Sequence, residues 1–139
     1  MKTKVEKINV NHIEVAIIVR AINTRKRIEF FTNPEDQFQI GAFNMNKGEK
    51  IQPHIHLNQE RKLKDTVELI YVLNGELIVN FYKNKSKDKI YQNVNLKKGD
   101  LIFLKSGIHG FEINEDCKFF EVKQGPFIDG KDKIKLYGD

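Results

Sequence analysis

The sequence predicts an all-β fold of the sandwich or barrel kind. Short apolar runs, rich in β-branched and aromatic side chains, recur along the chain, and turn-forming stretches such as NPED, NKGE and KKGD separate them. No run combines the length and the 3.6-residue period of a long amphipathic helix. Many short strands with regular turn signals are typical of β-sandwiches and β-barrels.

Eight runs are predicted as strands. They are EVAIIVRAI (14–22), IEFFT (28–32), FQIGAFNM (38–45), VELIYVL (67–73), ELIVNFY (76–82), IYQNVNL (90–96), DLIFL (100–104) and CKFFEVKQ (117–124). A further extended segment, HGFEI, begins at His109. The one helical expectation is a single turn between Arg61 and Thr66.

The dipeptide Asn74-Gly75 predicts a two-residue β-hairpin. Asn-Gly between apolar runs favours a type I′ turn, because both central residues need a positive φ. The resulting register pairs Glu68 with Phe81 and Val72 with Leu77.

Alternation along these two strands then predicts two faces. One carries an acidic residue among apolar ones: Glu68, Ile70, Val72, Leu77, Val79 and Phe81. A carboxylate in such surroundings is costly unless it is paired or ligates a cation. The other face, with Leu69, Tyr71, Leu73, Glu76, Ile78 and Asn80, needs a cover. Either the N-terminal strands or a second subunit would provide it, and we expect a homodimer.

Composition restricts the function classes. The 139 residues correspond to one domain spanning 1–139. The net charge of +5 comes from scattered lysines rather than a basic stripe, so we expect no nucleic-acid partner. No apolar stretch is long enough to span a membrane, and no secretory signal is evident, so we expect a cytoplasmic protein. The single cysteine, Cys117, excludes an internal disulfide and is expected to be a buried, inert thiol.

Two histidines stand one residue apart in IQPHIH. In an extended segment, residues two apart point the same way, so His54 and His56 can converge on one cation. Taken alone, this pattern is more often two surface histidines than a metal site.

The surrounding spacing strengthens the metal hypothesis. Gly48 stands six residues before His54, Glu68 stands seven before Gly75, and His109 follows in GDLIFLKSGIHGF. This arrangement resembles the two motifs of the cupin superfamily. The first is Gly, five residues, His-x-His, three or four residues, Glu, six residues, Gly; the second is Gly, five residues, Pro-x-Gly, two residues, His, three residues, Asn.

Two departures from the cupin pattern are evident. Eleven residues separate His56 from Glu68, whereas Glu60 has the usual spacing from His56 but lacks the glycine. We favour Glu68 because it lies on the apolar face of a strand, while Glu60 lies in a polar stretch that resembles an inserted loop. In the second motif, Lys105 replaces proline and one residue is missing before His109.

The resemblance implies a double-stranded β-helix, or jelly-roll, barrel that holds one divalent transition metal ion (Fe, Mn, Ni, Co or Zn). Its ligands would be His54, His56, Glu68 and His109. The implied function is a metalloenzyme acting on a small sugar or acid, of isomerase, epimerase or dioxygenase type. The alternative is a non-catalytic module that binds a small molecule, with a structural metal or none.

The chain also resembles a narrower group of small cupins, some found with surface-polysaccharide genes. That similarity includes EFFTNPEDQFQIG, SGIHGFE and the tail EVKQGPF. The longer tail EVKQGPFIDGKDKIKL (121–136) is a candidate lid or wall of the site. Candidate cavity-lining residues are Gln39, Phe43, Lys123 and Gln124.

Overall fold

The computed structural model describes residues 3–85 and 89–136. This part of the chain contains ten β-strands and no helix. The strands are β1 Lys4–Val10, β2 Ile13–Arg20, β3 Ile28–Phe30, β4 Gly41–Phe43, β5 Glu68–Asn74, β6 Glu76–Tyr82, β7 Ile90–Lys97, β8 Leu101–Leu104, β9 Ile108–Glu112 and β10 Lys118–Lys123. The predicted all-β fold is therefore confirmed.

The strands form antiparallel sheets. A five-stranded sheet has the order β1-β2-β8-β5-β10, a three-stranded sheet has the order β7-β6-β9, and β3 pairs with β4 separately. After β5 the chain passes to the second sheet for β6 and β7, returns for β8, crosses again for β9 and returns for β10. Closure of these sheets into the jelly-roll barrel that the resemblance implies stays a prediction.

The main core lies between the five-stranded and the three-stranded sheet. Alternate residues of both sheets contribute to one cluster of buried side chains, among them Ile18, Ile70, Ile102, Leu77, Val79, Phe81 and Leu96. Packing of this kind buries one face of each sheet, which is the arrangement that the period-2 apolar pattern favours.

The predicted hairpin at Asn74-Gly75 is wrong. β5 pairs with β8 and β10, whereas β6 pairs with β7 and β9, so the two strands lie in different sheets. Gly75 has a φ of 75°, but Asn74 does not have the positive φ that a type I′ turn requires. Gly75 is instead a corner at which the chain changes sheets.

The predicted distribution of side chains between two faces nevertheless holds for the apolar residues. Ile70 and Val72 of β5 and Leu77, Val79 and Phe81 of β6 are all buried. Alternation is a property of each strand by itself, so it survives an error in strand pairing.

The chain itself covers part of the outer face of the five-stranded sheet. Ile40 and Phe31 pack in a second cluster with Leu69 and Tyr71 of β5. The N-terminal half therefore provides the cover that the sequence analysis considered for these positions. The homodimer stays a prediction, which the mass of the protein in solution checks.

The structure corrects the sequence-based expectations at four further places. The run 38–45 forms a strand only at Gly41–Phe43, and residues 61–66 form no helical turn. The strand Lys4–Val10 is absent from the predicted set, because the adjacent charged residues Glu6 and Lys7 interrupt the alternation of its apolar residues. Cys117 is only partly buried; it is a free thiol that packs against the core, and burial raises its pKa, with the charge of Glu115 adding to the effect.

Lys105, which replaces a proline of the cupin pattern, has two structural roles. Its backbone N–H donates to the carbonyl oxygen of Val15 at 2.8 Å, a bond that proline cannot make. Its Nζ donates to Glu14 at 3.0 Å and to Asp36 at 2.7 Å. Burial raises the pKa of Asp36, but hydrogen bonds from Lys105 and from the Asn33 N–H outweigh it and lower that pKa.

Within the described residues, no helix is long and apolar enough to cross a membrane.

The corner at Gly75 predicts a stability effect. A Cβ at this position would overlap the carbonyl oxygen of Asp116, and the φ of 75° disfavours any side chain. We expect Gly75→Ala to cost about 3 kcal/mol or more in the free energy of unfolding, measured with urea. Gly48→Ala, at φ 89° with open space around it, is the matched control and should cost about 1–2 kcal/mol. Equal losses would show that Asp116 does not constrain the corner.

The ion pairs of Lys105 with Glu14 and Asp36 predict that the free energy of unfolding depends on pH. We expect Lys105→Met to lower the free energy of unfolding at pH 7 by about 1–2 kcal/mol, since it leaves Asp36 without its cation. A lowered pKa stabilises the fold above the unfolded-state pKa, and this stabilisation is lost as the pH falls through the folded-state pKa. The difference between the variant and the original protein should therefore shrink in acid. A pH-independent difference, or an equal effect of the exposed control Lys98→Met, would contradict this account.

Candidate metal centre

Glu68 is the first residue of β5. Its register partners are Leu104 on β8 and Lys123 on β10. Because Ile70 and Val72 on the same strand point into the core, alternation directs Glu68 inward as well. Its side chain is 15% exposed, so the carboxylate lies at the end of the core rather than within it.

His109 reaches the same place from the opposite sheet. It lies on β9 and pairs with Phe81 of β6, whose side chain is buried between the sheets. The His109 side chain is 23% exposed, and its ring lies 5.7 Å from that of Phe111, the next residue on the same face of β9. His109 and Phe111 are thus both directed to the inner face of β9, where Phe111 packs against the core.

Glu68 and His109 meet across the end of the sandwich. His109 Nε2 lies 3.1 Å from Glu68 Oε2. This hydrogen bond lowers the pKa of Glu68; burial opposes the shift, and the positive charges of Lys123 and Lys133 add to it. The carboxylate is therefore held in its anionic form, which is the form that ligates metal ions.

The geometry of this pair fits two ligands of one metal ion. Two ligand atoms that each lie about 2.1 Å from an ion, at a right angle to each other, are about 3.0 Å apart. The observed separation of 3.1 Å is close to that value. His109 Nδ1 is buried without a hydrogen-bond partner among the described residues, so it is free to carry the ring proton when Nε2 ligates a cation.

His54 and His56 lie elsewhere. Both are exposed, within a segment between β4 and β5 that contains no strand or helix. Their rings are 5.1 Å apart, and His54 Nδ1 lies 2.9 Å from the carbonyl oxygen of Gln52. The two imidazoles are therefore neighbours, as the His-x-His spacing predicts, but no contact joins them to Glu68 or His109.

This connecting segment, residues 44–67, is fastened near both ends. Arg27 bonds Glu49 at 2.9 Å. At the other end, Gln124 accepts from the Val67 N–H at 2.7 Å and donates to the Asp65 carbonyl oxygen at 3.1 Å. Between these anchors every side chain is exposed, including that of Glu60.

The structure thus brings together two of the four predicted ligands. Among residues 3–85 and 89–136, no three or more His, Cys, Asp or Glu side chains are grouped closely enough to hold a metal ion. The four-residue ligand set stays a prediction, with Glu68 and His109 as its assembled half.

The pair opens into a cleft of about 920 Å³. One wall carries Glu68, His109 and Phe111, and the other is the C-terminal segment, residues 130–136. Lys123 fastens that segment by donating to Asp132 at 2.6 Å. The sequence analysis proposed the tail as a wall but did not identify Lys131, Lys133 and Lys135, although the pattern KDKIK was a visible signal.

The other candidate lining residues are not in this cleft. Gln124 anchors the connecting segment, as described above. Gln39 bonds the loop 32–36 through Thr32 and Asn33, and Phe43 packs edge-on against Phe30 at 6.4 Å. Lys123 lies beside the cleft and not on its wall, because its amine is directed to Asp132.

Comparison with known proteins gives two matches. The model of the family described as Domain of unknown function (DUF6016) matches residues 18–96, more than half of the chain. Acireductone dioxygenase from Tuber melanosporum (strain Mel28) is 30% identical over 97 residues, which cover 60% of this chain and 51% of that protein. The chain thus spans about half the length of this relative. No solved structure matches the chain.

The placement of the histidines predicts a pattern of energetic coupling in metal-free protein. We expect Glu68→Gln and His109→Ala to be coupled by about 1 kcal/mol in the free energy of unfolding, since they remove one shared hydrogen bond. Glu68→Gln and His54→Ala should be additive, because these side chains do not touch. Double-mutant cycles in urea measure both values; coupling of Glu68 to His54 but not to His109 would contradict the observed geometry.

Proposed function

The chain belongs to the DUF6016 family, and we propose that it is a metal-dependent protein of the cupin superfamily. Its site would bind one divalent transition metal ion through His54, His56, Glu68 and His109 and act on a small molecule in the adjoining cleft. The observation that carries this proposal is the Glu68–His109 pair, 3.1 Å apart at the wall of the cleft.

The proposal requires the connecting segment to bring His54 and His56 to the pair. His54 lies five positions after the anchor at Glu49, and His56 lies nine positions before the anchor at Asp65. At about 3.5 Å per residue, the two arms reach roughly 17 Å and 30 Å. A domain of this size has a radius of gyration of about 14 Å, so each arm can span a distance comparable to that radius.

The chemistry of the donors supports a transition metal. Three neutral imidazoles and one carboxylate would leave a divalent ion with a charge of +1, a set that suits Fe, Mn, Ni, Co or Zn. When bound, such an ion supplies Lewis-acid polarisation of a carbonyl or hydroxyl group, or, in the case of iron, a place for dioxygen. Glu68 would contribute the negative charge and His109 a neutral imidazole nitrogen, while the Phe111 ring lies beside the imidazole at 5.7 Å.

The reaction class is inferred from the relative. A protein named as a dioxygenase shares 30% identity with this chain, and dioxygenation is one of the reactions that the cupin resemblance implies. We therefore favour a dioxygenase-type reaction on a small acid or sugar over isomerisation or epimerisation.

A second candidate is a non-catalytic module that binds a small molecule. The exposed position of His54 and His56, away from Glu68, favours it. In that case the cleft would bind its ligand with Glu68 and His109 acting as polar contacts, and a metal would be structural or absent.

Metal titration tests the ligand set. We expect chelator-treated protein to bind one equivalent of Mn, Co, Ni or Zn, measured by calorimetry and elemental analysis. His54→Ala, His56→Ala, His109→Ala and Glu68→Gln should each weaken binding by at least about tenfold, since each removes a ligand.

Glu60→Gln is the matched control and should leave the affinity unchanged. If Glu60→Gln weakens binding and Glu68→Gln does not, the carboxylate ligand lies in the connecting segment. If the protein takes up no metal, the binding-module alternative holds.

Turnover separates the enzyme from the binding module. Iron-loaded and manganese-loaded protein should consume oxygen, or convert substrate, with a member of a panel of small keto acids and sugar nucleotides. Tight ligand binding with no turnover by any loaded form would instead identify a binding protein.

A further inference from the structure

The cleft beside Glu68 and His109 carries an excess of positive charge. Four lysines lie on its walls: Lys85, Lys131, Lys133 and Lys135. Three carboxylates also line it, namely Glu68, Glu121 and Asp132. The lining residues therefore have more cations than anions.

The carboxylates are already engaged. Glu68 bonds His109, and Asp132 accepts a 2.6 Å bond from Lys123. Glu121 lies 3.8 Å from the same lysine amine. Lys123 is not itself a wall residue, so the carboxylates are paired by groups other than the four wall lysines.

The side-chain amines of the four wall lysines have no hydrogen bond or ion pair with another described residue, although the backbone N–H of Lys131 donates to the Ile128 carbonyl oxygen at 3.2 Å. Three of them, Lys131, Lys133 and Lys135, occupy every second position of the C-terminal segment that forms one wall. Lys133 is near enough to Glu68 for its charge to affect that carboxylate. These cations therefore line the cleft, and Lys133 is the wall lysine nearest in its effect to the candidate metal centre.

The rest of the lining suits an organic molecule rather than a bare ion. Ile108, Phe111, Ile134 and Leu136 give the cleft an apolar surface. A volume of about 920 Å³ is at the upper end of the range for small-molecule sites. An apolar lining with lysine amines that pair with none of the residues 3–85 and 89–136 matches a molecule that has an organic body and an anionic group.

We propose that the cleft binds an anionic small molecule, whose carboxylate or phosphate group is held by Lys131, Lys133 and Lys135 while its other end reaches Glu68 and His109. This inference rests on the proposed function in one respect, because it takes the Glu68–His109 pair as the reactive end. It assigns the C-terminal segment a role in substrate selection.

Anion titrations of chelator-treated protein test the proposal. The probes are inorganic phosphate and succinate, with glucose as the neutral comparison, and binding is measured by calorimetry at two salt concentrations. We expect phosphate or succinate to bind and glucose not to bind. The double variant Lys133→Gln/Lys135→Gln should weaken anion binding about tenfold, and added salt should weaken it further.

Lys47→Gln/Lys98→Gln is the matched control, because it removes the same charge from exposed positions outside the cleft. The control should change anion affinity less than about twofold. Equal losses in the two double variants would overturn the proposal, since they would show an effect of net charge alone. If phosphate binds more tightly than succinate, the natural ligand carries a phosphate group. If succinate binds more tightly, the natural ligand carries a carboxylate. Either result supports the anion site.

Separate measurements of metal binding and anion binding distinguish a failure of this inference from a failure of the proposed function. Metal stoichiometry should be unchanged in Lys133→Gln/Lys135→Gln, and anion binding without metal should persist in His54→Ala. Metal binding with no anion binding would overturn the inference alone. Anion binding with no metal uptake would overturn the proposed metal centre and leave the anion site standing.

Discussion

The candidate site depends on the chain changing sheets at Gly75. A hairpin at this position would place β5 and β6 side by side, with Glu68 next to Phe81 in one sheet. The corner instead sends β6 and its neighbour β9 to the opposite sheet, where the His109 side chain faces Glu68. A residue with a side chain would collide with Asp116 at the corner, so the crossing is tied to the absence of a Cβ. The meeting of carboxylate and imidazole follows from this backbone constraint.

Much of the strand content could be predicted from the sequence, because alternation and turn residues are local signals. Glu68, Ile70 and Val72 were placed on the inward face correctly even though the strand pairing was wrong. The reason is that a strand's faces depend on its own residues, while its partners depend on contacts that are distant in sequence. β5 pairs with β8 and β10, and nothing in the Asn74-Gly75 dipeptide reports on those strands.

The candidate site, like the strands, could be predicted only where the signal is local in sequence. The motif spacing pointed to His109, and the apolar face of its strand favoured Glu68 over Glu60. Both side chains are directed inward, and their role as ligands stays a prediction. Spacing did not predict that His54 and His56 would lie apart from them, because an exposed segment of mixed polarity has no periodic signal for its path. The same limitation applies to Lys105: its motif position suggests a turn, but its bonds to Glu14 and Asp36 depend on tertiary contacts.

Two consecutive residues at the end of β10 hold two otherwise separate parts of the molecule. Lys123 fastens the C-terminal wall through Asp132, and Gln124 fastens the histidine-bearing segment through Asp65 and Val67. The end of this strand is thus a common pivot. The wall with the lysines and the segment with the histidines are therefore attached to the sheet at adjacent residues, although some 70 residues separate them along the chain.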